Sequence, residues 1–271
     1  MPTEDSAANH KQGTILLERT GPVAVITLSR PAALNALTWS MYKQLDAHLV
    51  QLAADDTIRA IIMHGDGPRA FAAGTDIQQF QGFSGADGIA YEQRMDTFTD
   101  RLYSIPKPLI AAVHGVAVGA GLIIATACDL RYATPSARFG APMARTLGNC
   151  LSLKNYRRLV QAFGSMRTKE LLFTARLLSA DEALQSGFLT AIIDETHFFM
   201  QVLEVAQQIS DLAPLTIWAT KEALKRSNTA EDDRLANTPF DDVLARVYSS
   251  HDFAEGVRAY IEKRRPVWRG E

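Results

Sequence analysis

Only two cysteines, Cys128 and Cys150, occur among the 271 residues, too few for a disulfide framework and too isolated for a zinc-ligand spacing. Six histidines are scattered without a His-Glu-x-x-His pair, so no metal is expected. A formal net charge of -2 leaves no surplus of lysine and arginine to hold nucleic acid or an anionic membrane surface. No apolar run can span a bilayer, because the longest, residues 109–130, is broken by His114 and three glycines. The spacing Gly115-x-x-x-Gly119-x-Gly121 is not the dinucleotide fingerprint, and residues 71–76 lack the Gly-Lys-Ser/Thr ending of a phosphate loop. These absences suit a cytoplasmic protein in a reducing compartment.

What the chain has instead is enough apolar content, 47%, to bury one large core. Residues 1–12 are polar and read as a disordered leader. Ile15 to Glu18 and Val23 to Leu28 form β-rich runs split by Gly21-Pro22, a hairpin signal. After Thr38, a good N-cap, Met41, Leu45, Leu49 and Leu52 recur at helical spacing. Strands are expected at residues 59–63, 109–113 and 130–133, with a helix over residues 89–103. Alternation of this kind indicates α/β packing with buried, largely parallel strands. Beyond Leu151 the pattern is helical, with Ser165 and Ser179 as caps, Pro214 opening a helix, residues 254–264 as the last helix, and 191–193 as the one strand.

Two stretches bear chemistry: Ala70-Phe71-Ala72-Ala73-Gly74-Thr75-Asp76-Ile77 and Ala112-Val113-His114-Gly115-Val116-Ala117-Val118-Gly119-Ala120-Gly121. Each ends an apolar run in a turn of small residues, where a ligand can approach backbone N–H groups. Two such donors converging on a carbonyl oxygen form an oxyanion hole, which stabilises an enolate or a tetrahedral anion.

With residues 28–37, Phe139-Gly140-Ala141-Pro142, 178–183 and 260–266 in the same order, these stretches resemble the crotonase superfamily, the enoyl-CoA hydratase/isomerase family. The resemblance implies a ββα spiral core over residues 13–200 and a C-terminal helical trimerisation region over 201–271, assembled as a homotrimer or dimer of trimers. It implies an acyl-CoA thioester substrate, coenzyme A arriving as part of that substrate, no tightly bound cofactor, and a lyase or isomerase reaction. The hole amides would be those of Thr75 and Ala120. Coenzyme A would lie against Arg30, Ala33, Leu34, Ala73, Asp76, Ile77 and Gln78, with Tyr260 and Lys263 reaching the nucleotide of a neighbouring subunit.

Family hydratases use two glutamates, and the matching positions here hold Ile123 and Met143, neither able to carry a proton. Residues 143–152 supply no carboxylate, although Arg145, Asn149, Cys150 and Ser152 could orient a substrate group, and Arg145 could pair with a second carboxylate on the acyl chain. Glu92 and Asp96, four apart on one helix face, are candidates for proton transfer or simply a solvated face. Cys150 has no histidine beside it to activate it. His114 reads as a structural, hydrogen-bonded histidine, and Asp76 as a helix cap. The expected function is therefore an acyl-CoA enzyme with an oxyanion hole and doubtful hydratase chemistry; the alternative is a catalytically silent acyl-CoA-binding or structural homologue.

Overall fold

A computed structural model describes residues 12–229 and 241–271. The leader expected over residues 1–12 lies outside the described residues except for Gln12, whose carbonyl accepts a hydrogen bond from Thr38 Oγ1 at 2.8 Å.

Strands β1 (Thr14–Thr20) and β2 (Val23–Ser29) pair antiparallel across Gly21-Pro22, as the hairpin signal predicts. Helix α1 (Trp39–Ala54) starts at Thr38, whose hydroxyl accepts from the Met41 amide. Next come β3 (Ala60–Gly65), β4 (Ala70–Ala72), α2 (Gly85–Ser104), β5 (Leu109–Val113), β6 (Val116–Val118), α3 (Ala120–Ala127), β7 (Leu130–Ala133) and β8 (Arg138–Gly140). The C-terminal part holds α4 (Leu153–Thr174), β9 (Leu178–Ser179), α5 (Ala180–Gln185), β10 (Ala191–Ile192), α6 (Phe198–Ser210), α7 (Pro214–Thr229), α8 (Asp241–Tyr248) and α9 (His251–Glu262).

The strands form a six-stranded sheet in the order β1-β2-β3-β5-β7-β10 and a four-stranded sheet in the order β4-β6-β8-β9. Pairing is parallel from β2 through β10 in the first and from β4 through β8 in the second. Both faces of the larger sheet are covered, which explains its unbroken apolar strands. Val23, Ala60, Ile62, Ile110 and Ala112 pack under Phe198, Val202 and Ala206 of α6. Their alternating neighbours Ala24, Ile26, Ile61, Met63, Ala111 and Val113 face the main core with α1 and α3.

Four expectations need correction. Helix α2 begins four residues earlier than the apolar period suggests, because Ser84 and Asp87 form a reciprocal capping box that carries the helix through Gly85 and Gly88. Residues 191–193 are not the one strand after Leu151: Leu178 and Ser179 pair antiparallel with Phe139 and Arg138, a two-residue pairing too short for a periodicity to reveal. Ser165 makes no cap bond among the described residues, and α4 instead bends at Gly164, whose φ of 74° and ψ of 160° leave the helical region. Ser179 does cap α5, in a box with Glu182. The last helix runs from His251 to Glu262 rather than over 254–264, stopped by the left-handed Lys263 at φ 54°.

Asn35 fixes the segment after β2 to the start of β4. It is fully buried, sits at a positive φ of 56° that asparagine tolerates better than most residues, and joins three backbone groups. Its Oδ1 accepts from the Arg30 amide at 2.9 Å, and its Nδ2 donates to Asp66 O at 2.9 Å and Ala70 O at 2.7 Å. The same contact is reinforced by Ala73 N donating to Leu34 O and Leu37 N donating to Gly74 O. The first small-residue turn is thereby held in place from behind.

Candidate functional site

The two small-residue turns leave parallel neighbours of the smaller sheet, β4 and β6, and so emerge side by side. They touch. A Cβ built on Gly74 would lie 3.2 Å from Val118 O and 3.4 Å from Ala120 N, and one built on Gly119 3.7 Å from Gly74 Cα. Behind them, a Cβ on Gly121 would fall 2.1 Å from Ala72 O, so only glycine lets α3 start this close to β4. Gly74 and Gly119 both hold positive φ, 99° and 55°.

Thr75 and Ala120 line one cavity of about 220 Å³. Ala120 is the first residue of α3, where a helix leaves its N–H without an internal partner. The Thr75 amide lies in a bridge whose bonds are made by Leu37 N and Asp76 N instead. Neither N–H donates to a protein acceptor among the described residues. Two free donors at adjoining turns can meet one oxygen of a ligand.

Part of the wall is aromatic. Tyr42 from α1, Tyr91 and Phe98 from α2, and Phe80 line the same cavity, with Tyr42 edge-on to Phe98 at 5.1 Å and Phe80 edge-on to Tyr91 at 4.9 Å. The Thr75 hydroxyl lies between both phenols, 2.8 Å from Tyr42 Oη and 2.9 Å from Tyr91 Oη. Burial raises the Tyr42 phenol well above its ordinary range and pushes Tyr91 to about 12, so both remain protonated at neutral pH. Sequence reasoning missed this chain, since its members come from three elements and share no spacing. Thr75→Val keeps the amide and shape but leaves two phenols a partner short; it is expected to cost about 1–3 kcal/mol in urea unfolding.

Ile123 and Met143 both line the cavity, as apolar wall. Glu92 and Asn149 line it too, whereas Arg145 and Asp96 do not. Arg145 is exposed at the end of the short 3-10 turn Pro142–Ala144. Cys150 is exposed outside the cavity. The face of α2 that carries Glu92 and Asp96 is not a solvated one. Both residues are half-buried and hold the start of α4: Ser152 N donates to Glu92 Oε2 at 2.7 Å, and Ser152 Oγ donates to Asp96 Oδ1 at 2.5 Å. Burial raises the Glu92 carboxyl, with Asp96 adding to it and the Ser152 amide opposing it. Ser152, read from sequence as a possible substrate contact, is the N-cap of α4.

Among the coenzyme A candidates, Arg30, Ala33, Leu34, Ala73 and Asp76 lie together. The Arg30 guanidinium pairs with Asp76 at 2.8 Å, and Ala73 N donates to Leu34 O at 2.9 Å. Asp76 caps the turn Ile77–Phe80 by accepting from Gln78 N, as expected of it. Ala73 and Ile77 line the cavity while Gln78 is exposed beside it. Lys263 is exposed beyond α9 and does not line the cavity; the Tyr260 side chain lies outside the described residues. His114 Nε2 bonds to Gly67 O at 2.5 Å and lies apart from the cavity, in keeping with its structural reading.

Residues 18–271 match a family model described as enoyl-CoA hydratase/isomerase. The sequence is 33% identical over 251 residues to the short-chain-enoyl-CoA hydratase of Clostridium acetobutylicum, covering 93% of this chain and 95% of that protein. It is 29% identical to the crotonyl-CoA hydratase of Syntrophomonas wolfei, covering 93% and 96%. Among solved structures, an enoyl-CoA hydratase/carnithine racemase from Magnetospirillum magneticum superposes with a TM-score of 0.86 at 30% identity, covering 95% of this chain and 96% of that one.

Proposed function

Because the chain belongs to the enoyl-CoA hydratase/isomerase family, we propose that it binds an acyl-CoA thioester with the thioester oxygen between the amides of Thr75 and Ala120. The observation that carries this reading is the pair of N–H groups without protein acceptors, on turns in contact, belonging to two residues that line one cavity. Donors fixed in advance favour the enolate oxygen over the neutral carbonyl, so deprotonation next to the thioester becomes easier. Arg30, Ala33, Leu34, Asp76 and Gln78 would flank the coenzyme A moiety outside the cavity, with Ala73 and Ile77 on the cavity wall. The helical region over 201–271 would assemble the trimer and bring Tyr260 and Lys263 to a neighbour's nucleotide.

The acyl group is neutral and of modest size. Roughly 150 Å³ of dry apolar space holds a benzene molecule, so 220 Å³ suits a short or medium chain or a single ring. No Lys or Arg lines the cavity among the described residues, which leaves a second carboxylate on the acyl chain without a cation. Hydration needs one group to activate water and another to manage the proton; with Ile123 and Met143 on the wall, ordinary hydratase activity is not part of this proposal.

A panel of enoyl-, 3-hydroxyacyl-, malonyl-type and aryl-CoA esters tests it, with binding read by titration calorimetry and turnover by chromatography. Neutral esters are expected to bind and malonyl-type esters to bind more weakly. Efficient hydration of crotonyl-CoA would overturn the reading of Ile123 and Met143, and failure of every ester to bind would overturn the whole assignment.

A further inference from the structure

We propose that Glu92 is the catalytic acid and base of this site, a single carboxylate that moves a proton between two carbons of a bound enoyl thioester. The inference rests on the acyl-CoA reading above and assigns the step which that reading leaves open.

Glu92 is the one carboxylate lining the cavity among the described residues. Its side chain is oriented from a single direction: Oε2 accepts from Ser152 N at 2.7 Å. No protein group bonds Oε1 among the described residues, and every buried side-chain oxygen does have a partner. Oε1 is therefore the accessible oxygen of a cavity-lining carboxylate. The preceding residue, Tyr91, reaches Thr75 itself, with Oη 2.9 Å from Thr75 Oγ1. One turn of α2 thus touches both Thr75, whose amide is the first proposed donor, and the cavity that Thr75 and Ala120 line.

The charged neighbours are few. Asp96 lies one turn along α2, and from α4 the Ser152 amide is the contact; Tyr42 of α1 and Tyr91 stay neutral. No cation lines the cavity among the described residues to hold the carboxyl permanently ionised. Burial raises its proton affinity, which helps a carboxylate to hold a proton between taking it and returning it.

The step balances without another reactant. Glu92 Oε1 takes a proton from the carbon beside the thioester carbonyl of a 3-enoyl ester. The C–H electron pair becomes the enolate double bond, and the negative charge rests on the thioester oxygen against the two amides. Glu92 then returns the proton to the γ carbon, and the double bond shifts into conjugation. One carboxylate suffices because no water is added.

Trans-3-hexenoyl-CoA is the probe. In D2O the wild-type protein should form the 2-enoyl isomer, read by absorbance, with deuterium, read by mass spectrometry, entering wherever the Glu92 proton exchanges with solvent before it is returned. Glu92→Gln keeps an oxygen for the Ser152 amide but cannot cycle a proton at neutral pH. It should slow exchange and isomerisation by about 100-fold or more with ester affinity and thermal unfolding unchanged. Glu92→Asp should recover part of the rate. The wild-type rate should rise with pH, with a midpoint above the ordinary glutamate range. An isomerisation rate in Glu92→Gln equal to wild type, a flat pH profile, or a wild-type protein that binds the ester without isomerising it would each overturn the assignment. Absence of ester binding by the wild type would instead overturn the acyl-CoA reading beneath it.

Discussion

Ala120→Pro is expected to lower kcat for enolate formation on acyl-CoA esters by about 10²–10³-fold, the loss of roughly 2.7–4 kcal/mol that follows removal of one oxyanion donor. The substitution is selective for geometric reasons. Ala120 is the first residue of α3, the helical position where proline is best tolerated because its N–H has no helical partner to lose. Gly119 before it holds φ 55° and ψ -123°, outside the helical conformation that proline forbids to its predecessor. Circular dichroism and the unfolding midpoint should therefore change little while catalysis falls. Ala120→Gly, which retains the amide, should keep most of the rate. Equal rates for the two variants would remove Ala120 from the proposed hole.

Gly121→Ala, one residue on, is expected to act through structure, at a cost of about 3–5 kcal/mol in chemical unfolding. The added Cβ would sit 2.1 Å from Ala72 O, 2.8 Å from Ala72 C and 2.9 Å from Ala72 Cβ. These are mostly backbone atoms of a fully buried strand and cannot swing aside as a flexible side chain would. Overpacking typically costs 1–3 kcal/mol, and the larger values arise where nothing can yield. Relief would come from moving α3 away from β4, which separates the two turns, so ester binding and turnover should fall together with stability. Gly88→Ala is the control, because a Cβ there meets nothing within 4 Å; it should be neutral or slightly stabilising in the helix.

The legible part of the fold was the part written in local chemistry. Thr38 and Ser179 cap helices as short polar residues do, Pro214 opens α7, and the runs at 109–113 and 130–133 are strands to the residue. Where local chemistry was weak, the reading slipped. The first turn of α2 has two glycines and an exposed Ile89, so its apolar period starts late. The pairing of Leu178 and Ser179 with β8 is two residues long and exists only because the smaller sheet lies alongside.

The same division runs through the candidate site. The two glycine-rich turns announce themselves in sequence because a backbone that must approach a ligand or another backbone excludes side chains. Ile123 and Met143 stand next to those motifs and are equally visible. Glu92 is not, since nothing in the spacing of Glu92 and Asp96 separates a solvated face from a cavity wall, and the hydrogen bond that decides between them comes from Ser152, sixty residues away. Tyr42, Thr75 and Tyr91 meet for the same reason, through packing of α1 and α2 over the first turn.

By itself the sequence determined the alternation of strands and helices, the small-residue turns and the lack of ionisable groups at positions 123 and 143, because each depends on residues near one another in the chain. Which carboxylate enters the cavity, which hydroxyls form a chain and which arginine stays outside were decided only in the tertiary structure, because burial and hydrogen bonding depend on neighbours that folding supplies.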